Sequence, residues 1–255
     1  MQLAIKHLFS FSIASIWLVS TAFGQPAYIE SGGVVVGEAE QFNARTSMAG
    51  DAAWTVVPDE GASIGDTFEN FRGTGFVQTQ PNGAGGLGAT MAPSIDYRMS
   101  ISTPGTYQLY LRWDGYDGGS DSLFADIIEL TDGPGGTIAD WYEYAGHSDD
   151  NFATTPWEGT AGFETNNAGG TPKVPAVFDI ASEGVYTLRV SQREDGVAFD
   201  SFVFQLDNLA APTGIGPPVS EFAELAVPEP ASIAIWSLIG LGLAGFGYTR
   251  IRRKK

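Results

Sequence analysis

Three carboxylates from two distant parts of the chain have the types and the spacing of a cation site. Glu38 and Glu40 end a short apolar run, and their i, i+2 spacing directs both side chains to one side of a β-strand. Such a pair is repulsive when buried unless a cation lies between the two charges. Asp200 interrupts an otherwise apolar run, where a buried carboxylate needs a partner.

Calcium is the metal that this set of residues predicts. Carboxylate and carbonyl oxygens are the ligands that calcium prefers, at distances of about 2.3–2.6 Å. Glu38, Glu40 and Asp200 are therefore the predicted metal ligands, with calcium in a structural role. The alternative is an ion pair in which Arg189 or Arg193 neutralises the glutamates.

Two aromatic residues in turn-rich segments are candidates for carbohydrate binding. Tyr116 lies among the aspartates and glycines of Asp114–Gly119, and Trp157 lies in the acidic stretch Asp149–Thr171. An aromatic ring offers a flat surface to the apolar face of a pyranose, and nearby polar groups bind its hydroxyls. Tyr116 and Trp157 are therefore the predicted ligand-binding residues, although exposed aromatics also occur without a function. The aromatic run 141–144 is the next candidate if neither ring binds a sugar.

Catalytic residues are scarce, and the sequence predicts that the protein is not an enzyme. It has no cysteine, and His147 is the only histidine outside the N-terminal segment. A Ser-His-Asp site would have to rest on this histidine, and no Gly-x-Ser-x-Gly motif is present. Carboxylate pairs of the kind that glycoside hydrolases use remain open, because so many acids offer pairings.

The charge balance limits the classes of partner. Residues 25–227 contain 7 of the 13 basic residues and 29 of the 30 acidic residues, which gives that part a formal charge near −22. A surface of this sign repels nucleic acid and anionic lipid headgroups. It suits divalent cations, neutral sugars or a solvated matrix, and it also keeps an exported protein soluble.

The middle of the chain has the pattern of an all-β fold, and a β-sandwich is predicted. Glycine is abundant, no long helical periodicity is present, and short apolar or alternating runs recur between turn residues. Two hairpins are predicted, one over 97–113 with its turn at Pro104–Gly105 and one over 177–206. Further strands are predicted at Val34–Glu40, Leu123–Leu130 and Ile138–Tyr144.

These segments resemble the galactose-binding-like β-jelly roll. The motifs that carry the resemblance are an early Glu-Ala-Glu at 38–40, a Pro-Gly-Thr-Tyr turn at 104–107 and a late Gly-Val-Tyr-Thr-Leu at 184–188 that leads to Asp200. In their order they are similar to carbohydrate-binding module families six and thirty-five. The resemblance covers roughly residues 33–206.

The resemblance implies both a fold and a function. It implies a jelly-roll β-sandwich whose first and last strands hold calcium at Glu38, Glu40 and Asp200, and a non-catalytic module that binds polysaccharide. Many sugar-binding members place an asparagine just before the late aspartate, whereas this chain has Ala198 and Phe199 there. The usual sugar site at the ends of the loops is therefore in question.

The N-terminal residues have the pattern of a secretory signal peptide. Lys6 and His7 precede an apolar run over 8–19, and small residues follow up to Gly24. The predicted signal peptide covers residues 1–24.

The last residues combine a short motif, an apolar stretch and a basic end. Pro228-Glu229-Pro230 precedes a segment that predicts a transmembrane helix over 231–249, enough to span about 27 Å of bilayer. The basic end stays on the cytoplasmic side, so the rest of the chain lies outside. This arrangement resembles the PEP-CTERM sorting tail, which an exosortase is thought to cleave in bacteria that make exopolysaccharide.

The sequence therefore predicts that the chain has four segments. They are a signal peptide at 1–24, a β-sandwich domain at 25–207, a flexible Pro- and Gly-rich linker at 208–227 and a sorting tail at 228–255. The predicted function is binding of extracellular polysaccharide by a surface-anchored or processed module. The module is expected in the cell envelope before processing, and on the cell surface or in the matrix afterwards. The alternative is a structural matrix or surface protein with the same fold and no sugar binding.

Overall fold

A computed structural model describes residues 24–47, 53–65, 67–79, 92–130, 141–154, 157–163 and 172–225. The predicted signal peptide, apart from its last residue, and the sorting tail with its helix at 231–249 lie outside these ranges. In the described ranges the regular secondary structure is β-strand, and none of these residues forms a helix that could span a bilayer. Gln25–Leu225 form one compact unit with its own core.

The strands are numbered in chain order. They are β1 (Pro26–Ile29), β2 (Val34–Glu38), β3 (Ala44–Arg45), β4 (Trp54–Val57), β5 (Phe76–Thr79), β6 (Ser94–Ile101), β7 (Gly105–Asp114), β8 (Ser122–Ile127), β9 (Tyr142–Ala145), β10 (Thr160–Phe163), β11 (Val174–Pro175), β12 (Val177–Ile180), β13 (Gly184–Gln192), β14 (Ala198–Leu206) and β15 (Phe222–Glu224).

The described strands form two sheets. The larger has the order β11-β10-β9-β8-β13-β6-β1-β15, with β3 paired to β6, and the smaller has the order β12-β7-β14-β5-β4, with β2 paired to β14. Both sheets contribute to one buried core, Tyr97 and Leu188 from the larger sheet and Leu111 and Phe202 from the smaller. The prediction of an all-β sandwich is confirmed.

Alternation in the sequence predicts the buried face of a central strand. In β7, the side chains of Tyr107, Leu109, Leu111 and Trp113 are all buried in the core, each two residues from the next. β14 is apolar on both faces, is buried from its first residue to its eighth, and pairs with β7, β2 and β5. It is the central strand that its composition predicts.

The predicted hairpins are wrong, although their strands are present. β6 pairs with β13 in the larger sheet, whereas β7 pairs with β12 and β14 in the smaller. The turn at Pro104–Gly105 therefore carries the chain from one sheet to the other. β12, β13 and β14 alternate between the sheets in the same way. Alternation specifies which side of a strand faces the core, but it does not specify which sheet the strand joins.

Glu30 fixes the connection between β6 and β7. Its carboxylate is buried and accepts hydrogen bonds from the backbone N–H groups of Ser102 at 2.7 Å, Thr103 at 2.8 Å and Gly33 at 2.6 Å. Burial alone would raise the pKa of Glu30, but hydrogen bonds from Ser102, Gly33 and Thr103 together hold it below its usual value. No sequence pattern indicates this role, because Glu30 is far along the chain from the turn that it holds.

The segment predicted as a flexible linker is instead packed on the sandwich. Residues 207–221, which we call the C-terminal strap, run from β14 to β15, and β15 pairs antiparallel with β1. The ring of Phe222 lies 4.7 Å from that of Tyr28. Ser220 N–H donates to Val36 O, and Val36 N–H donates to Ser220 Oγ, both at 3.0 Å. The linker prediction is therefore wrong for the described part of this segment.

Proline and glycine explain why the strap resembles a linker in sequence. A proline has no N–H to satisfy, and it favours an extended chain. Gly216 has a φ of 86°, and a Cβ atom there would lie 2.4 Å from the indole of Trp157. The residue types that suggest flexibility thus allow an extended segment to lie close against the sheet.

Candidate functional site

The three predicted metal ligands come together with two arginines, and we call this group the charge cluster. It consists of Glu38, Glu40, Arg72, Arg112 and Asp200. Asp200 is fully buried, and the side chain of Arg112 is 3% exposed. Because Arg112 alternates along β7 with core residues, the cluster lies on the face of the smaller sheet opposite the main core.

Arg72 joins Glu38 to Asp200. Its Nε lies 2.9 Å from Glu38 Oε1, and its backbone N–H donates to Asp200 Oδ1 at 2.7 Å. Arg112 forms an ion pair with the other oxygen of Asp200. Glu40 lies beside Gly73, where a Cβ atom would be 3.3 Å from Glu40 Oε1 and 3.6 Å from Glu38 Oε2. The structure thus brings the three carboxylates together around two guanidinium groups.

The arginines of the cluster differ from those that the sequence suggested as partners. Arg189 pairs with Asp96 at 2.7 Å, and Arg193 pairs with Glu143 at 3.0 Å. Naming Arg189 or Arg193 as the partner of the glutamates is therefore wrong. The true partners are far along the chain from the carboxylates they meet, so spacing in the sequence does not indicate them.

The residues do not fit calcium as a set of three ligands. Both oxygens of Asp200 accept hydrogen bonds from arginines, and Glu38 Oε1 faces Arg72. Among the described residues, no three carboxylate or histidine side chains are grouped so that they could hold a metal ion. Buried Oε2 atoms of Glu38 and Glu40 have no hydrogen-bond partner within the described part of the chain. Calcium binding stays a prediction.

Burial makes ionisation of these carboxylates costly. It raises the pKa of Glu40 to about 7, and the charges of Glu38 and Asp200 add to this shift. It also raises the pKa of Asp200 to about 6 and the pKa of Glu38, although the arginines oppose both shifts. With every group ionised, three carboxylates and two guanidinium groups leave one negative charge in excess. A proton on Glu40 removes this excess near neutral pH.

Trp157 lies half-buried on the same face of the smaller sheet. Its ring packs against Val36, Tyr110 and Val203, and its Nε1 donates to Gly214 O at 3.1 Å. The strap covers one side of the indole, and the residue as a whole is only partly buried. The sheet and the strap together fix the orientation of this ring.

Tyr116 is half-buried just beyond β7, between two glycines. A Cβ atom at Gly65 would lie 2.4 Å from its ring, and one at Gly196 would lie 2.3 Å from it. The ring packs against a small apolar cluster that includes Phe68 and Phe152. Trp157 packs in a different cluster, so the two predicted ligand-binding residues do not share one packing group.

Apolar side chains surround Ala198, one of the two residues that stand where the resemblance led us to expect an asparagine. Ala198 is buried against Phe68, Phe76 and Phe152, whose ring centroids are 5.4–5.5 Å apart. The run 141–144 also has its aromatic rings buried, with Trp141 5% exposed. Neither region presents a free aromatic face.

Glu158 organises a polar group that sequence patterns did not indicate. It is buried, accepts hydrogen bonds from Lys173 Nζ at 2.6 Å and Trp113 Nε1 at 3.1 Å, and lies 3.2 Å from His147 Nε2. Burial alone would raise the pKa of Glu158, but His147 and Lys173 hold it below its usual value. His147 therefore serves as a partner of a buried carboxylate, which is a structural role.

Comparison with protein families identifies the C-terminal end. Residues 226–254 are a PEP-CTERM protein-sorting motif. The motif includes Pro228, Glu229 and Pro230, so the resemblance to this sorting tail is confirmed. The motif indicates an exported protein that is processed at a C-terminal sorting signal.

Comparison with solved structures finds similarity to carbohydrate-binding modules of families 6 and 35. A Podospora anserina GH26-CBM35 β-(1,4)-mannanase is 16% identical (TM-score 0.41), covering 74% of this chain and 31% of its own. The C-terminal CBM6 of LamC, a laminarinase from Zobellia galactanivorans, is 11% identical (TM-score 0.39), and the match covers 68% of this chain and 98% of that module. A family 35 module from Clostridium thermocellum is 12% identical (TM-score 0.39), and the match covers 67% of this chain and 96% of that module.

This chain thus spans about a third of the mannanase chain and nearly all of the two isolated modules. Likeness at this level carries no information about the ligand of this chain. A sequence search of curated proteins found no match.

Proposed function

We propose that this chain is an exported, non-catalytic module whose β-sandwich binds extracellular polysaccharide. The observation that carries the proposal is the position of Trp157. Its indole is held by the sheet and by the strap, yet part of its surface faces solvent. A fixed, partly exposed aromatic ring is a surface on which a pyranose stacks with little loss of side-chain entropy.

Polar groups near Trp157 support the proposal. Tyr110, which packs in the same cluster, donates its hydroxyl hydrogen to Gln108 Oε1 at 2.9 Å. Hydroxyl and amide groups are the donors and acceptors that sugar hydroxyls need. Tyr116, just beyond β7, is the second aromatic residue of the proposal.

A neutral polysaccharide is the ligand that the charges favour. Within the ranges that the structure describes, every basic residue except Arg98 forms an ion pair with a carboxylate of the same domain. The acidic residues greatly outnumber them, so the surface keeps a large uncompensated negative charge. Such a surface repels acidic glycans and leaves no free cluster of cations to bind them.

We expect Trp157→Ala to weaken polysaccharide binding by roughly tenfold or more, because stacking on a fixed ring contributes about 1 kcal/mol beyond the area it buries. The measurement is retardation of residues 25–225 in affinity gels that contain neutral or acidic polysaccharides. Ile215→Ala is the matched control, since Ile215 is an apolar strap residue that is 62% exposed.

Retardation of the wild type and of Ile215→Ala by a neutral glycan, with loss in Trp157→Ala, is the expected pattern. Binding that survives in Trp157→Ala and is lost in Tyr116→Ala would move the site to the end of β7. If no glycan retards the wild type, the proposal fails.

A structural matrix or surface protein without sugar binding is the second candidate. The apolar surroundings of Ala198 favour it, because they occupy the position from which many relatives bond their ligand. The packing of Tyr116 between Gly65 and Gly196 favours it as well, since little of that ring is left for a ligand.

The sorting motif supports a route to the cell surface. On this proposal, the helix predicted over 231–249 anchors the exported chain in the membrane until an exosortase-type enzyme cuts near Pro228-Glu229-Pro230. We expect mass spectrometry of the native, surface-exposed protein to find a C-terminus near this motif. If that form still ends at Lys255, the tail is not cleaved and serves only as a membrane anchor.

A further inference from the structure

We infer that the guanidinium groups of Arg72 and Arg112 take the place of a metal ion in the charge cluster, and that Arg72 makes the position of the C-terminal strap depend on this cluster. The inference does not rest on polysaccharide binding.

The first step is that arginines already use both oxygens of Asp200 and one oxygen of Glu38. Asp200 accepts from the backbone of Arg72 through Oδ1 and from the side chain of Arg112 through Oδ2. Glu38 Oε1 faces Arg72 Nε at 2.9 Å. Calcium takes six to eight oxygens at about 2.3–2.6 Å, and the charges of Arg72 and Arg112 beside these carboxylates would repel a divalent ion. Positive charge in this cluster is therefore supplied by the protein.

The second step is that the Arg72 side chain bonds in two directions. While Nε faces Glu38, Nη1 donates to Ile215 O at 3.3 Å and Nη2 donates to Pro217 O at 2.7 Å, and both carbonyls belong to the strap. The guanidinium group is planar, with its donors in a fixed geometry, so its position on Glu38 determines where the two strap carbonyls can lie. The Arg72 side chain is only 9% exposed, so water competes little for these bonds.

The consequence concerns the segment that leads to the sorting motif. A metal in this cluster would make the strap sensitive to the calcium concentration outside the cell. A guanidinium group that is always charged holds the strap regardless of calcium. The strap should therefore stay in place even in a polyanionic matrix that chelates calcium.

The first test measures the melting temperature of residues 25–225 with EDTA and with millimolar calcium chloride. We expect the wild type to change by less than about 1 °C between the two conditions, because the two carboxylate oxygens without a partner, on Glu38 and Glu40, are too few to hold the ion beside two arginines. Arg72→Ala should melt about 10 °C lower, and calcium should raise its melting temperature by about 5 °C, because the freed carboxylates can then bind the ion. Arg45→Ala is the control, since Arg45 pairs with Glu60 at the surface and should shift the melting temperature by about 3 °C or less.

The second test separates the charge of Arg72 from its bonds to the strap, and it remains informative if Arg72→Ala does not fold. Arg72→Lys keeps a positive charge beside Glu38 but cannot reach both strap carbonyls. We expect amide hydrogen exchange in residues 213–220 to become at least about tenfold faster in Arg72→Lys, while exchange in β13 stays unchanged.

Three results would overturn the inference. The wild type could lose stability in EDTA and regain it with calcium, which would mean that a metal is present. Arg72→Ala could fold and either melt like Arg45→Ala or ignore calcium, in which case Arg72 does not occupy the place of a cation. Exchange in the strap could be the same in Arg72→Lys as in the wild type, and the strap would then be independent of Arg72.

Discussion

We expect Asp200→Asn to lower the free energy of unfolding by about 1–3 kcal/mol, because the buried guanidinium of Arg112 loses its direct ion-pair partner and meets an amide NH2 group in its place, while Glu38 still balances part of its charge. Both side chains are almost completely inaccessible to solvent. Asparagine keeps the shape of the side chain and an oxygen for the backbone N–H of Arg72, so the loss reports the missing charge. The pair itself need not stabilise the fold relative to an apolar pair; the cost comes from removing one partner. Urea unfolding of residues 25–225 measures it.

Asp96→Asn is the matched control. Asp96 also pairs with an arginine on a neighbouring strand, Arg189 at 2.7 Å, but that arginine is 30% exposed. Because solvent screens this pair, we expect Asp96→Asn to cost less than about 1 kcal/mol. If both variants lose the same free energy of unfolding, burial does not make the Asp200 pair more costly to break than the Asp96 pair.

The same aspartate should also affect how stability changes with pH. Burial raises the pKa of Asp200 from 3.8 to about 6. A carboxyl group whose folded pKa is raised binds its proton more tightly in the folded state, so its contribution to the free energy of unfolding increases as pH falls from about 6 towards 4. Asp200→Asn lacks this contribution, and its stability should rise less than that of the wild type over this pH range.

The second large effect is expected when the chain is shortened to residues 25–207. This change removes β15 from the edge of the larger sheet, and it removes the ring of Phe222 from that of Tyr28. It also takes the acceptors of Arg72 and Trp157 away. From the apolar area and the hydrogen bonds involved, we expect a loss of about 3–6 kcal/mol, a large part of the stability of a typical domain.

The chain of residues 25–225 is the reference for this comparison, since it keeps the strap and β15 and ends just before the sorting motif. Thermal and urea unfolding of the two chains measure the loss. If they unfold at the same temperature and urea concentration, the strap contributes nothing to stability and the original interpretation as a linker is correct in energetic terms.

The sequence predicted the strands better than their partners. Two-residue alternation located the core face of β7 and the central position of β14, because each pattern is a local property of one strand. It did not show that β6 and β7 belong to different sheets. That choice depends on Glu30, whose carboxylate holds the connection through residues 102 and 103 from a distant part of the chain.

The sequence predicted the carboxylates of the candidate site, but it did not predict which arginines pair with them. The spacing of Glu38 and Glu40 and the isolation of Asp200 correctly indicate buried carboxylates that need positive charge. Sequence reasoning proposed a metal or two other arginines, because Arg72 and Arg112 carry no local mark of their role. From its position in β7, Arg112 is expected to face outward, and the packing of residues 70–72 and Phe152 over that face buries it.

The sequence by itself determined the all-β class, the acidic character and the sorting motif at the C-terminal end, because each is a matter of composition or of short contiguous patterns. The tertiary structure alone decided that the residues after β14 form a strap, that Trp157 is held beneath Gly216, and that Asp200 meets the guanidinium group of Arg112 and the backbone N–H of Arg72. All three depend on contacts between residues far apart in the chain. Their energies come from burial and from ion pairs that exist only after the two sheets have packed together.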